Sequence, residues 1–163
     1  MTNKLYMTGS VTSNGVLPKE VIRILENAMK LNREIILADS YGFESQVQQY
    51  LSNKKYPHVT IYYARPDRPK VLKSHRWQTE KVLVDPHADH LTREIAIANK
   101  LSDDCSIMFA MWNKQSSFIR TSMLRTLQQD KPVAVYTFGE PRPTRQFDTP
   151  AQFYETYPNR NEN

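Results

Sequence analysis

The stretch Cys105-Ser-Ile-Met-Phe-Ala-Met-Trp-Asn-Lys-Gln-Ser-Ser117 decides how the rest of the chain is read. Ile107 to Met111 is a continuous apolar run short enough for a strand buried on both faces. It then turns abruptly into an indole, an amide, an ammonium and two hydroxyls. In an open α/β sheet, ligands bind outside the carboxyl ends of the strands, so polar groups at such an end are candidate ligand contacts. The question is whether the remaining sequence builds such a sheet.

Upstream, residues 4–8 form a short apolar strand candidate followed by a loop rich in Gly, Ser and Asn. Pro18 suits a first helical turn, and Val21, Ile22, Leu25, Ala28 and Met29 recur at helical spacing. Residues 34–39 are a second apolar strand ending on a carboxylate. Helical spacing returns over 44–54, and 59–64 is a β-branched and aromatic strand. Between 65 and 91 the period is lost around Pro66, Pro69 and Pro86, which predicts an irregular excursion carrying a short strand near Lys81-Val-Leu-Val84. A helix over 92–101 is expected to share Ile95, Ala98 and Leu101 on one face. The strand 105–112, a helix over 118–129 and a strand over 132–138 complete the series. After Gly139 the chain is rich in Pro and Arg, but Thr149, Pro150 and Gln152 mark a helix start.

Strands that are apolar throughout and alternate with helices imply a mainly parallel sheet with helices on both faces. Right-handed crossovers favour a doubly wound, Rossmann-like sheet of five strands in the order 3-2-1-4-5. The expected organisation is one Rossmann-like α/β domain over 1–140 with an excursion at about 65–91, then a tail over 141–163 with a short helix. A chain of 163 residues suits one core. No apolar run is long enough for a membrane span, and the first ten residues lack the apolar core of a signal peptide, so the expected location is cytoplasmic. The lone Cys105, inside an apolar run, fits a buried thiol in a reducing compartment.

Three loops frame the expected crevice. Thr8, Gly9 and Ser10 supply a pliable backbone and two hydroxyls for a phosphate or ribose, or simply a turn. Asp39 and Ser40 could accept and donate hydrogen bonds to ribose or base, with Asp39 alternatively an Asx-turn or helix cap. Tyr41 could stack on a base. Gly42 is expected at a positive φ and Glu44 at a helix N-terminus, both mainly structural. Trp112 either walls a base pocket, with Asn113 as donor and acceptor, or plugs the sheet end as core. Lys114, Ser116 and Ser117 either hold an anion at the next helix start or act as caps. Arg93 is a candidate phosphate clamp and Glu94 a candidate general base or ribose ligand, against the alternative of a surface charge pair.

Two further features bound the function. Asp85-Pro-His-Ala-Asp-His90 spaces two histidines and two carboxylates in a metal-like way, but no distant third ligand is evident, so it is taken as a polar loop and no metal or other cofactor is expected. Residues 65–81 hold six Lys or Arg against two acids, much of the formal net charge of +5. That segment offers a nucleic-acid or protein interaction surface, or a solvated loop.

The motifs together resemble the SLOG superfamily of Rossmann-like domains, which includes phosphoribohydrolases and DNA-processing proteins. Thr8-Gly9-Ser10 is similar to its first loop, Ala38 to Glu44 to its turn after strand 2, Arg93-Glu94 to its helix-opening pair, and Met111 to Ile119 to its motif after strand 4. The resemblance implies a nucleotide or nucleotide-derived ligand across the ends of strands 1, 2 and 4. Its base would lie near Trp112 and Tyr41, its ribose near Asp39 and Glu94, and its phosphate near Ser10, Arg93, Lys114 and Ser116. Phe118 and Ile119 stand where the family has Gly-Thr, and Ser122 where the phosphoribohydrolases carry a glutamate, so their catalytic arrangement does not transfer. The expected function is nucleotide binding. The alternatives are N-glycosidic hydrolysis or transfer with Glu94 as the catalytic residue, and an interaction module using 65–81. Homo-oligomerisation stays open.

Overall fold

The computed structural model describes residues 3–10 and 15–159. Strands β1 (Lys4–Gly9), β2 (Glu34–Ala38), β3 (Val59–Tyr63), β4 (Gln78–Lys81), β5 (Ile107–Met111), β6 (Val133–Tyr136) and β7 (Thr144–Phe147) form one sheet in the order β4-β3-β2-β1-β5-β6-β7. All neighbours pair in parallel except β6 and β7. The five-strand expectation is therefore corrected to seven strands among the described residues: the expected five occupy the centre, and one short strand is added at each edge.

The strand alternation sorts side chains onto two faces. Leu5, Met7, Ile35, Leu37, Phe109 and Met111 pack with Val21, Leu25 and Ala28 of α1 (Lys19–Lys30) and with Phe43, Val47 and Leu51 of α2 (Phe43–Asn53). On the opposite face, Tyr6, Ile36, Met108 and Ala110 pack with Ile97 and Leu101 of α3 (His90–Asp104) and with Ile119, Met123 and Leu127 of α4 (Ser117–Leu127). Phe153 of α5 (Pro150–Thr156) joins them. Burial on both faces explains why the central strands read as unbroken apolar runs.

Three local expectations shift. Helix α3 starts at His90 because Asp89 caps it, accepting from the Thr92 amide at 2.8 Å. Its buried stripe is Ile97, Ala98 and Leu101, so Ile95, 44% exposed, lies off the core face. The edge strand of the excursion falls on Gln78–Lys81, with only Lys81 inside the expected stretch. The residues after 141 form the expected short helix and also contribute β7, with Phe147, Phe153 and Tyr157 buried in the main core.

The excursion is anchored, not merely solvated. Gln48 on α2 donates to the Val71 carbonyl and accepts from the Lys73 amide, and buried Trp77 donates its indole N–H to the Tyr56 carbonyl. Residues 65–77 thus form a strap that leaves the carboxyl end of β3, touches Asp39 through Lys70, runs along α2 and returns to Tyr56 on the amino side of β3, where β4 begins.

Candidate functional site

Parallel strands deliver their last residues, and the first turns of the following helices, to the same edge of the sheet. There β1 places Thr8, β2 leads into Asp39 and Ser40, α2 brings Glu44 in its first turn, and α3 brings Arg93 and Glu94. Gly42 at φ 84° makes the tight passage from β2 into α2 that a side chain would strain. Gly9 has a different reason to be glycine. A Cβ there would lie 2.7 Å from the buried Phe43 ring and 3.0 Å from Met111 Cβ. Gly9→Ala is expected to lose about 1–3 kcal/mol by overpacking, read from urea unfolding. An unchanged midpoint would mean that Phe43 can move aside.

Glu94 is the hub of the cluster. One carboxylate oxygen lies 3.3 Å from Lys70 Nζ and 3.9 Å from His90 Nε2, and the other accepts from Ser40 Oγ at 3.3 Å. Asp39, only 1% exposed, accepts from the Lys70 amide at 2.7 Å through Oδ2, while Oδ1 is buried without a hydrogen-bond partner among the described residues. Burial pushes its carboxyl upward, opposed by the Lys70 amide and charge. Glu44, also buried, accepts from Thr8 Oγ1 at 2.7 Å. Burial drives its carboxyl up to about 7, with Thr8 pulling the other way and the Glu94 charge adding to the rise. Nε of Arg93 is buried without a hydrogen-bond partner among the described residues. Three carboxylates, one ammonium and two hydroxyls therefore converge from four elements and the strap.

The residues expected after β5 are placed differently. Trp112 is 3% exposed and packs against Phe153 at 5.8 Å and edge-on to Tyr157 at 5.3 Å, with its Nε1 donating to the Ser116 carbonyl at 3.0 Å. Of its two readings, the structure gives the core plug, because α5 supplies the aromatic neighbours. Asn113 closes a turn, its Oδ1 accepting from the Gln115 and Ser116 amides, and Ser116 caps α4 through Ile119. Ser117 opens α4, with its carbonyl taken by Thr121. Lys114 pairs with Glu140 at 3.2 Å. Trp112, Lys114, Ser116, Ser117, Arg120 and Tyr157 border a separate groove of about 410 Å³. Tyr41 is 70% exposed. Ser10 ties the two ends together, its amide donating to the Met111 carbonyl and its hydroxyl accepting from the Asn113 amide.

Two site residues lay outside the sequence reading: Glu44, taken as a helix-terminal charge, and Lys70, counted only as part of a basic run. Both gain their role from contacts distant in sequence. In the His-containing loop, Asp85 accepts from the His87 amide and Asp89 caps α3. Among the described residues no three His, Cys, Asp or Glu are grouped to hold a metal. Among the described residues no helix is long and apolar enough to cross a membrane. Comparisons of the chain with family models, curated proteins and solved structures found no match.

Proposed function

We propose that this chain is a doubly wound, Rossmann-like domain of the SLOG kind. In this reading it binds a nucleotide or nucleotide-derived ligand at the carboxyl ends of its strands, with the sugar held by Asp39, Ser40 and Glu94. The observation that carries the reading is the buried Asp39 carboxylate, one oxygen of which has no donor among the described residues, beside the Ser40–Glu94–Lys70 contacts. An unpaired buried acceptor is costly, and a ribose hydroxyl supplies the missing donor. Glu94 offers acceptors to a second hydroxyl, with Lys70 yielding as the sugar enters. Trp112 has no part in this reading, and the base projects outward from the crevice.

A second reading, N-glycosidic hydrolysis or transfer, is favoured by one observation. Glu44 holds its proton up to about neutral pH, while Glu94 is paired with an ammonium at the same crevice. Carboxyls in such unlike settings divide acid and nucleophile roles in glycoside chemistry.

Thermal unfolding with adenosine, guanosine, cytidine and uridine monophosphates tests both readings. At least one is expected to stabilise the wild type, by about 2.7 kcal/mol at a hundredfold excess over Kd. Glu94→Gln and Ser40→Ala are expected to lose that stabilisation. Failure of all four to stabilise the protein contradicts the binding reading. Chromatography of the same mixtures is expected to show no free base, and base release abolished by Glu94→Gln would make the chain an enzyme.

A further inference from the structure

The geometry points to the groove between the strap and α3, lined by Arg65, Arg68 and Arg93, as an anion site that takes a phosphate monoester, the phosphate of the nucleotide whose sugar occupies the neighbouring crevice. This assignment rests on the nucleotide reading above and adds the phosphate's position to it. The groove encloses about 250 Å³ and is bordered by these three arginines, Pro66 and Asp67. Its guanidiniums come from two separate segments: Arg65 and Arg68 from the strap after β3, and Arg93 from the first turn of α3.

Three observations single this groove out. First, other cations of the chain are held in hydrogen bonds or ion pairs, whereas these arginines are not, although the Arg93 charge acts on Asp89 at the start of α3. Lys70 pairs with Glu94, Lys81 Nζ donates to the Pro66 carbonyl at 2.9 Å and Lys114 pairs with Glu140. By contrast, the side chains of Arg65, Arg68 and Arg93 make no hydrogen bond or ion pair with any described residue, and Arg93 Nε is buried in that state. Second, the charge matches. Three guanidiniums less the Asp67 carboxylate leave about two positive charges, the complement of a phosphate monoester near neutral pH and one more than a phosphodiester needs. Third, the position fits a nucleotide. Arg93 precedes Glu94 in α3, and Arg68 lies two residues before Lys70, whose amide is held by Asp39 and whose ammonium meets Glu94. The hydrogen bonds of Lys70 and Lys81 fix the strap, so the arginines are presented on an anchored loop.

The assignment moves the phosphate away from Lys114 and Ser116. It also gives part of the basic 65–81 segment a small-molecule role in place of a diffuse one.

The test uses the full chain and the double variant Arg65→Gln/Arg68→Gln. Both positions are exposed, so the thermal midpoint should stay at the wild-type value. Each protein is titrated calorimetrically with the four nucleoside monophosphates, the four nucleosides, inorganic phosphate and a single-stranded oligonucleotide. The wild type is expected to prefer a monophosphate over its nucleoside by roughly 10- to 100-fold, the usual worth of a charged hydrogen bond. The double variant is expected to lose that preference and its affinity for inorganic phosphate, with nucleoside affinity unchanged. Arginine-dependent binding of inorganic phosphate without any gain from a nucleoside keeps the anion site and overturns the nucleotide reading. Equal affinity for nucleoside and monophosphate, or a preference that survives in the double variant, overturns the anion site and leaves the nucleotide reading standing. Absence of all phosphate binding overturns the anion site. So does an oligonucleotide that outcompetes the monophosphates with a steep, arginine-dependent salt response, which would make the strap a nucleic-acid surface.

Discussion

Trp112→Ala is expected to destabilise the protein by about 3–5 kcal/mol while leaving nucleotide affinity within about twofold of wild type. The ring is almost fully enclosed by Phe153 and Tyr157, and Arg120 stacks over it at 6.0 Å. Removing it opens a cavity beneath α5, ends the cation–π contact and deprives the Ser116 carbonyl of its indole donor. The loss should appear as a lower urea midpoint, with binding measured well below the unfolding temperature. An unchanged midpoint combined with lost binding would return the ring to the ligand pocket.

The second large effect concerns pH. Glu44 carries its proton in the folded protein up to about 7, whereas in the unfolded chain it releases it near its ordinary value of 4.5. Between those values the unfolded chain is the form with fewer protons, so stability falls as pH rises and levels off above about 7. The cost to the folded state at pH 8 is about 3 kcal/mol by linkage. Asp39, also raised by burial, acts in the same direction. The lowered carboxyls of Glu20, Asp89, Asp103 and Glu140 contribute with the opposite sign, stabilising above their unfolded values and losing that effect only on further acidification. Glu44→Gln keeps an acceptor for Thr8 Oγ1 and removes the titration. Unfolding free energies measured from pH 5 to 8 should fall for wild type and stay much flatter for the variant, which becomes the more stable protein at pH 8. Equal slopes in the two proteins would mean that Glu44 titrates normally.

The centre of the sheet was legible because burial on both faces forces continuous apolar runs, as in Ile35-Ile-Leu37 and Ile107 to Met111. The edge strands left no such trace. Gln78–Lys81 and Thr144–Phe147 are mostly polar and are held by backbone pairing to β3 and β6, which a side-chain pattern does not report. In the site, Asp39, Ser40 and Glu94 were visible from their places at element ends, and the structure brings them together. Trp112 carried two meanings until α5 supplied its neighbours, since an indole at a strand end is equally suited to a pocket wall or a plug. Glu44 looked like an ordinary first-turn acid, and only its enclosure with Thr8, 36 residues away, makes it unusual. Lys70 reaches Glu94 because the strap passes the end of β2 before running along α2, a path held by the contacts of Asp39, Gln48 and Trp77 that local sequence does not encode.

The proposed ligand site is the carboxylate crevice of β1 and β2, not the groove beyond β5. Amide chemical-shift mapping of isotope-labelled protein, titrated with the nucleoside monophosphate that stabilises it most, tests this directly. The largest saturable shifts are expected at Asp39, Ser40, Lys70, Arg93 and Glu94, with the amides of 112–117 moving little. Shifts concentrated at 112–117 and 156–159, or no saturable shift with any of the four monophosphates, would contradict it.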